Sequence, residues 1–451
     1  MSLVIKNGLI VTMDEKRSVI KDGTIVVEGN KIADLGPTKE MQEKYAFDKV
    51  IDADGKLVLP GFICSHSHMT YNLGHNMPVD MTQFKSFIEM LTKFAWPLFE
   101  DPITKDDVYY AARFAIVKML KTGTTTTNEL VEAPNAVKDK VLDASAKAIE
   151  EGGIRAAVAF ETTERISLEN AKDGIKENLR FVQKWNNVPD TRIKGKFGVH
   201  TVFTNSTETL KEVRELATKY NAGIHIHVAE STYEVEYIKK KFGKTPVEYM
   251  KDIGFLGPDV TTIHDIHLSD NDIKIYKEFD VKAVHTPMSN MLGAAGVAKI
   301  PQMLDAGITV GLGHDCFFTL DMTEYMRAAF LLHKIANMNP LLIAPFQALE
   351  MATIGGARAL NMDKEIGSLE PGKKADIIII DERFPTPLVP NYFILSSAIV
   401  NDMNGADVET VIVDGKVVVE NRKVLTIDEK EAYEKAKERT LSLWERDGVK
   451  V

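Results

Sequence analysis

Cysteine is nearly absent from this chain: there are two in 451 residues, Cys64 and Cys316. Two cysteines cannot build the disulfide framework of a small secreted scaffold. Both lie beside candidate metal ligands, so a structural disulfide is not expected. Positive charge is not in excess either. Lys and Arg number 55 against 65 Asp and Glu, a net charge of -10, which leaves no basic face for nucleic acid or an anionic membrane. No apolar run is long enough to span a bilayer, and residues 1–8 lack the pattern of a secretory leader. The expectation is a cytoplasmic protein whose partner is a small molecule, with no nucleic acid and no membrane. Internal repeats and low-complexity segments are also missing, which excludes a solenoid.

Apolar residues are plentiful, 44% against 27% charged, in a chain long enough for one large domain and a small one. All 11 histidines fall between His66 and His333, and most of them close a short apolar run. His66 and His68 follow residues 57–63, which read as a buried strand bounded by Pro60-Gly61, where the barrel is expected to begin. Alternate residues on a strand point the same way, so these two imidazoles can aim at one point, as a metal site requires. From residue 57 to about 335, short β-branched runs alternate with amphipathic stretches such as 106–121 and 210–220, the pattern of strand–helix units around a parallel sheet. The runs end informatively. Residues 57–63 lead to His66 and His68, 124–127 to Glu129, 154–160 to Glu161 and 193–199 to His200. Residues 224–228 contain His227 and precede Glu230, while 260–263 lead to His264, 281–284 to His285 and 308–312 to Asp315. Eight such units predict an α/β fold, a (β/α)8 TIM-type barrel with its chemistry at the carboxyl ends of the strands. A doubly wound sheet is the competing architecture, but it gathers ligands at one switch point rather than at nearly every strand end.

Turns at Asn7-Gly8, Asp22-Gly23 and Gly29-Asn30 divide residues 3–30 into short strands, and 374–424 contains further apolar runs. A small β-sandwich built from both termini accounts for them. The expected domains are the sandwich (1–59 with 360–426), the barrel (60–359) and a charged amphipathic C-terminal helix (427–451).

A catalytic zinc-type site takes three or four nitrogen or oxygen donors and keeps a place for water. His66 and His68 supply two. In His225-Ile226-His227-Val228-Ala229-Glu230 both imidazoles face inward; His227 lies nearer the strand end and is read as the third ligand, Glu230 as the proton shuttle, and His225 as a hydrogen-bonded core residue. Asp315 ends a glycine-containing apolar strand, where a carboxylate is costly to bury unless paired or coordinated. It is read as the fourth ligand and as a partner for the water. His264 is placed beside that water and the reacting carbon. The catalytic candidates are therefore Glu230, His264 and Asp315, and the metal candidates His66, His68, His227 and Asp315.

This order of motifs resembles the amidohydrolase superfamily. Within it, the chain is similar to the deaminase and chlorohydrolase branch that holds guanine deaminase, S-adenosylhomocysteine and methylthioadenosine deaminases and the triazine hydrolases. Residues 84–96, 160–165 and 321–333 most resemble SsnA-type aminohydrolases. The resemblance spans nearly the whole chain, including Leu369-Glu370-Pro371-Gly372-Lys373-Lys374-Ala375-Asp376, where the chain re-enters the sandwich. It implies the same metal ligands, Glu230 as acid/base, and His264 polarising the water or the substrate. It also implies a substrate-facing His200 and a pocket loop over 285–290, so His285, Ser289 and Asn290 join His200 as candidate substrate contacts. Binuclear relatives carry a carboxylated lysine where this chain has His200, which implies one divalent ion. Zinc is the first choice, and the donor set also suits iron or manganese. Homodimers are common in this branch. Arg165 is a candidate clamp for a substrate carboxylate or phosphate, the alternative being a salt bridge to Glu161 or Glu164.

The implied activity is hydrolytic deamination of an aminated heterocycle, such as a purine or pyrimidine derivative, with release of ammonia. Ring opening of a cyclic amide and dechlorination would use the same ligands, and a scaffold without activity is the non-enzymatic alternative. Two departures from the family pattern stand out. His314 and Cys316 flank Asp315, and Asp265 follows His264, where relatives carry small or sulfur-bearing residues. Each departure is expected to bring a polar group near the metal.

Overall fold

The computed structural model describes residues 2–45, 49–75, 77, 79–316, 318–381 and 388–446. Five strands come first: β1 (Ser2–Val11), β2 (Val19–Glu28), β3 (Lys31–Pro37), β4 (Lys49–Asp52) and β5 (Leu57–Pro60). The barrel follows with β6 (Phe62–Ser67), β7 (Thr124–Val131), β8 (Arg155–Thr162), β9 (Ile193–Gly195), β10 (Phe197–Val199), β11 (Ile224–Val228), β12 (Val260–His264), β13 (Lys282–His285) and β14 (Val310–Leu312). Parallel neighbours run β6–β7–β8–β10–β11–β12–β13–β14, with the short β9 beside β8. Every residue of these eight neighbours is buried, because the barrel interior covers one face and helices cover the other.

The barrel closes where β6 meets the segment after β14. A bridge joins Ser67 to Asp315; the Asp315 N–H donates to His66 O at 3.2 Å and the His68 N–H donates to Asp315 O at 3.1 Å. Only glycine fits this seam. A Cβ on Gly313 would stand 2.8 Å from His66 Cβ and 2.9 Å from its carbonyl oxygen, and one on Gly311 would stand 2.4 Å from Ser65 Oγ.

The run 57–63 is not the single strand that its sequence predicts. β5 pairs with β1 and with a later strand, whereas β6 pairs with β7 in the barrel. The chain changes sheets at Gly61, whose N–H donates to Asp376 O at 3.0 Å and where a Cβ would fall 2.1 Å from Thr125 side-chain atoms. The run 193–199 is likewise interrupted, at Lys196.

After the barrel, β15 (Ile377–Ile380), β16 (Val408–Val413), β17 (Lys416–Glu420) and β18 (Lys423–Val424) return to the N-terminal strands. The result is a mixed sheet ordered β18–β17–β16–β15–β5–β1–β2–β3, with β4 added along β1. Period-two alternation gives it two apolar faces. Ile377, Ile379 and Ile412 join Ile5, Ile25 and Val27 in a core of its own, while Ile378, Ile380, Val408 and Val411 join the barrel core. The C-terminal helix Glu429–Arg446 lies against the helix Lys105–Lys121, where Arg439 and Arg446 reach the buried Asp107 at 2.7 and 2.6 Å. Among the described residues, no helix is long and apolar enough to cross a membrane.

One buried ion cluster ties sheet to barrel. Arg155, at the start of β8 and 1% exposed, donates to both oxygens of Asp376 at 2.8 and 3.1 Å and to Asp414 at 3.0 Å. Removing one member of a buried ion pair leaves an uncompensated charge, which costs about 3–5 kcal/mol. Arg155→Ala is therefore expected to lower unfolding stability by about that amount in urea titration; a loss under 1 kcal/mol would show that the two aspartates are hydrated.

Candidate active site

Strand ends bring the donors together. His66 and His68 leave β6 on the same side, His227 sits in β11, and Asp315 follows β14 at the closing seam. Their donor atoms all lie within 4.8 Å of one another. His66 Nε2 stands 3.1 Å from Asp315 Oδ1, His68 Nε2 stands 3.5 Å from the same oxygen, and His68 Nε2 faces His227 Nε2 at 3.3 Å.

The opposite nitrogen of each ring is tied down. His227 Nδ1 lies 3.0 Å from His200 O, His68 Nδ1 lies 2.9 Å from Leu130 O and against the Glu132 carboxylate, and His66 Nδ1 lies 2.8 Å from His225 Nε2. A carbonyl oxygen only accepts, so the Nδ1 atoms of His68 and His227 carry protons and their Nε2 atoms face each other at 3.3 Å. Burial opposes charge on His68, but the Glu132 carboxylate beside it, with Asp315, outweighs burial and holds this imidazole well above its usual range, so a cation between the two rings takes the place of a proton. These residues therefore fit a divalent ion held by three imidazoles and a carboxylate, with outer partners that fix ring orientation as metal-ligating histidines require. Burial drives His66 down to about 3 and His227 well below the usual range, keeping both neutral. Burial raises the proton affinity of Asp315, but the His66 hydrogen bond and the charge of His264 outweigh it and hold the carboxyl well below the usual range.

Glu161, His200 and His227 form a second cluster of possible donors. His227 cannot serve both, since its Nδ1 is committed to His200 O and its single free nitrogen faces His68.

The backbone is strained where it delivers these groups. Ala229, His264, Asp265 and Asp315 have φ of 51°, 72°, 53° and 61°, left-handed values that cost non-glycine residues roughly 1–3 kcal/mol each. His264 accordingly turns inward from β12. Its Nδ1 is held by Asn290 Oδ1 and Thr286 Oγ1, both at 2.9 Å, so its Nε2 faces Glu230 Oε1 at 3.4 Å and Asp315 Oδ2 at 3.9 Å. Burial pushes Glu230 up to about 7, which suits a group that gives and takes a proton near neutrality. All of this borders a cavity of about 360 Å³.

The substrate candidates divide. His200 lines the cavity with Nδ1 held by Thr204 Oγ1 at 3.0 Å, and Ser289 lines it as well. His285 turns to the helix Met322–Ala336, where its Nε2 meets His333 Nε2 at 3.1 Å. Asn290 touches His264 and so acts through it. Arg165 donates to Glu100 at 2.8 Å and Asp101 at 2.6 Å, stands 5.2 Å from the Trp96 ring, and borders a separate pocket. Its partners are thus neither of the neighbouring glutamates considered from sequence.

Of the three residues in the two departures, Cys316 alone lines the cavity. His314 packs on Tyr325, and Asp265 accepts from Tyr276 at 2.7 Å and Thr262 at 2.9 Å. Glu129, noted at a strand end, braces the turn after β6 by accepting from Ser67 Oγ and the Met69 N–H.

Sequence reasoning missed Glu100, Glu132 and Tyr71, which also line the cavity. Tyr71 donates to Glu100 at 2.6 Å and Thr70 donates to Glu132 at 2.5 Å. Glu132 had a signal, since it lies one residue beyond the end of β7. Glu100 had none, because it ends a π-wound segment, Leu91–Glu100, that contains Pro97.

Asp315, His264 and Glu230 converge beside the four donors at the carboxyl end of a parallel barrel, and the chain is a hydrolase of carbon–nitrogen bonds. More narrowly, the chain is a member of the amidohydrolase family, whose model matches residues 57–418. It is 38% identical to the 5'-deoxyadenosine deaminase of Methanobrevibacter smithii over 97% of each chain. It is also 38% identical to the 5-methylthioadenosine/S-adenosylhomocysteine deaminase of Pelotomaculum thermopropionicum, over 99% of this chain and 100% of that protein. Among solved structures, a zinc-bound adenosine deaminase from Xanthomonas campestris superposes with a TM-score of 0.89 at 23% identity, covering 99% of both chains.

His225 does not border the cavity and meets His66 Nδ1 at 2.8 Å, so a change there tests the orientation of His66 alone. His225→Phe is expected to weaken zinc affinity about 10–100-fold in chelator competition; an unchanged Kd would show that His66 needs no orienting partner.

Proposed function

We propose that this protein is a hydrolytic deaminase of adenosine derivatives, using one zinc ion held by His66, His68, His227 and Asp315. The supporting observation is the pairing of Glu230 Oε1 with His264 Nε2 at 3.4 Å beside the converged donors. Full-length relatives named as deaminases of 5'-deoxyadenosine and of methylthioadenosine or S-adenosylhomocysteine supply the substrate class. The one free nitrogen of His227 supports a single ion, and the nitrogen-rich donor set, with zinc in the adenosine deaminase of the same fold, supports zinc.

When bound, the ion supplies Lewis acidity that brings the pKa of water from 15.7 toward about 7. Asp315 Oδ2 and His264 Nε2 orient that water toward the ring carbon bearing the amino group. Asn290 and Thr286 keep His264 in the required tautomer. Glu230 accepts a water proton and delivers it to the adjacent ring nitrogen. As the tetrahedral carbon collapses, the new hydroxyl gives its proton, through Glu230, to the amine, the carbon–nitrogen bond breaks to release ammonia, and a carbonyl is left in its place. His200 and Ser289 contact the substrate from the cavity wall.

General acid–base groups contribute about 10²–10⁴-fold, so Glu230→Gln is expected to lower kcat for 5'-deoxyadenosine by that factor while elemental analysis finds the native zinc content. Retention of full turnover would remove Glu230 from this role. Chelation is expected to abolish ammonia release and zinc to restore it; a new carboxylate or released chloride in place of ammonia would assign a different hydrolysis to the site.

A further inference from the structure

Large apolar side chains reach the surface together at one end of a helix pair. Leu331 and Ile335 stand one turn apart on the helix Met322–Ala336, on the side away from its buried Met322, Met326 and Ala329. Met338 and Leu341 follow in the next loop, and Phe393 and Ile394 open the helix Tyr392–Asn401. Ile335, Met338 and Leu341 are 68%, 82% and 86% exposed, and the other three are half-exposed.

The two helices lie side by side in opposite directions. Asp321 accepts from the Gly405 N–H and Arg327 donates to Met403 O, each at 2.7 Å, so the start of the first helix meets the end of the second. At the other end, Lys334 Nζ donates to the carbonyls of Pro340, Leu342 and Ile343 and draws the loop onto the first helix. That loop leads to Phe346, on which the Phe393 ring packs at 5.3 Å. The six residues therefore adjoin.

The patch carries no free charge. Lys334 is the one charged residue between Arg327 and Glu350, and its ammonium is spent on those carbonyls. The helix Tyr392–Asn401 has no charged residue. At the edge, Arg17 lies 4.7 Å over the Phe346 ring and is paired with Glu350 at 2.9 Å. Six large side chains exposed to this degree present on the order of 700 Å², above the roughly 300–600 Å² of the largest patch on a typical monomer and near the roughly 800 Å² that each partner gives to a standard specific interface.

We infer that this patch is the contact between two copies of the chain, paired about a two-fold axis. In such a pair one surface meets itself, so any unspent charge within it would face its like. A neutral apolar patch has no such conflict. The constraint is sharp for a chain of net charge -10, because two copies repel wherever acidic surface faces acidic surface. An anionic membrane is disfavoured by the same charge, and residues 328–349 supply a single lysine where a helix that lies on lipid is rich in them.

Analytical ultracentrifugation of the full chain is expected to find twice the chain mass, with a dissociation constant of about 1 µM or below. Met338→Asp combined with Leu341→Asp is expected to raise that constant about 100-fold or more. Far-ultraviolet circular dichroism is expected to stay native, since both side chains are exposed and none of the six lines the cavity. Should the double variant fail to fold, Ile335→Lys repeats the test. A native chain that remains monomeric up to about 100 µM overturns the inference, as does a dimer that the variants leave intact. Co-sedimentation of a native monomer with phosphatidylcholine vesicles, lost in the variants, would assign the patch to lipid and overturn it as well.

Discussion

The pairing of His66 and His68 with Asp315 across the closing seam is the contact on which the rest of the site depends. It joins the first barrel strand to the residue that follows the last. Two backbone hydrogen bonds, each near 3 Å, set the positions of three of the four donors at once. The seam exists because positions 311 and 313 carry no side chain. Barrel closure and donor convergence are therefore one event, and neither can be altered without the other.

Around that seam polar groups are spent on orientation. His225, Leu130 O with Glu132, and His200 O each hold one imidazole; Asn290 and Thr286 hold His264. Four strand-end residues accept left-handed backbone so that short, rigid strands can deliver side chains inward. The large apolar cores of barrel and sheet offset this local cost, which is the usual division between a stable scaffold and a strained site.

The barrel and its chemical end were legible because both are written in local periodicity. β-branched runs mark the strands, and a residue at a strand end has only one side of the barrel to occupy. His66, His68, His227, Glu230, His264 and Asp315 are brought together for that reason. What the sequence hides is set by nonlocal packing. Gly61 divides an apparent strand only because Asp376 and Thr125, distant in sequence, meet it from two different sheets. His285 turns outward because His333 waits on a helix. Arg165 finds Glu100 and Asp101 across a loop rather than the glutamates beside it in the chain. Glu100 shows no periodicity at all, since the segment carrying it is wound around a proline.

The shared terminal sheet has a consequence for the order in which the molecule is made. β5 forms its outer ladder with β15, Pro60 against Ile377. On a ribosome adding about 5–20 residues per second, residues 61–376 take roughly 15–60 s to emerge. For that interval the nascent chain carries a five-strand remnant whose β5 edge is unsatisfied and open to pairing with another polypeptide. The chain beyond residue 376 thus acts as an intramolecular cap for strands β1–β5, and premature termination after the barrel would release a protein with its candidate metal ligands complete and an adhesive flank.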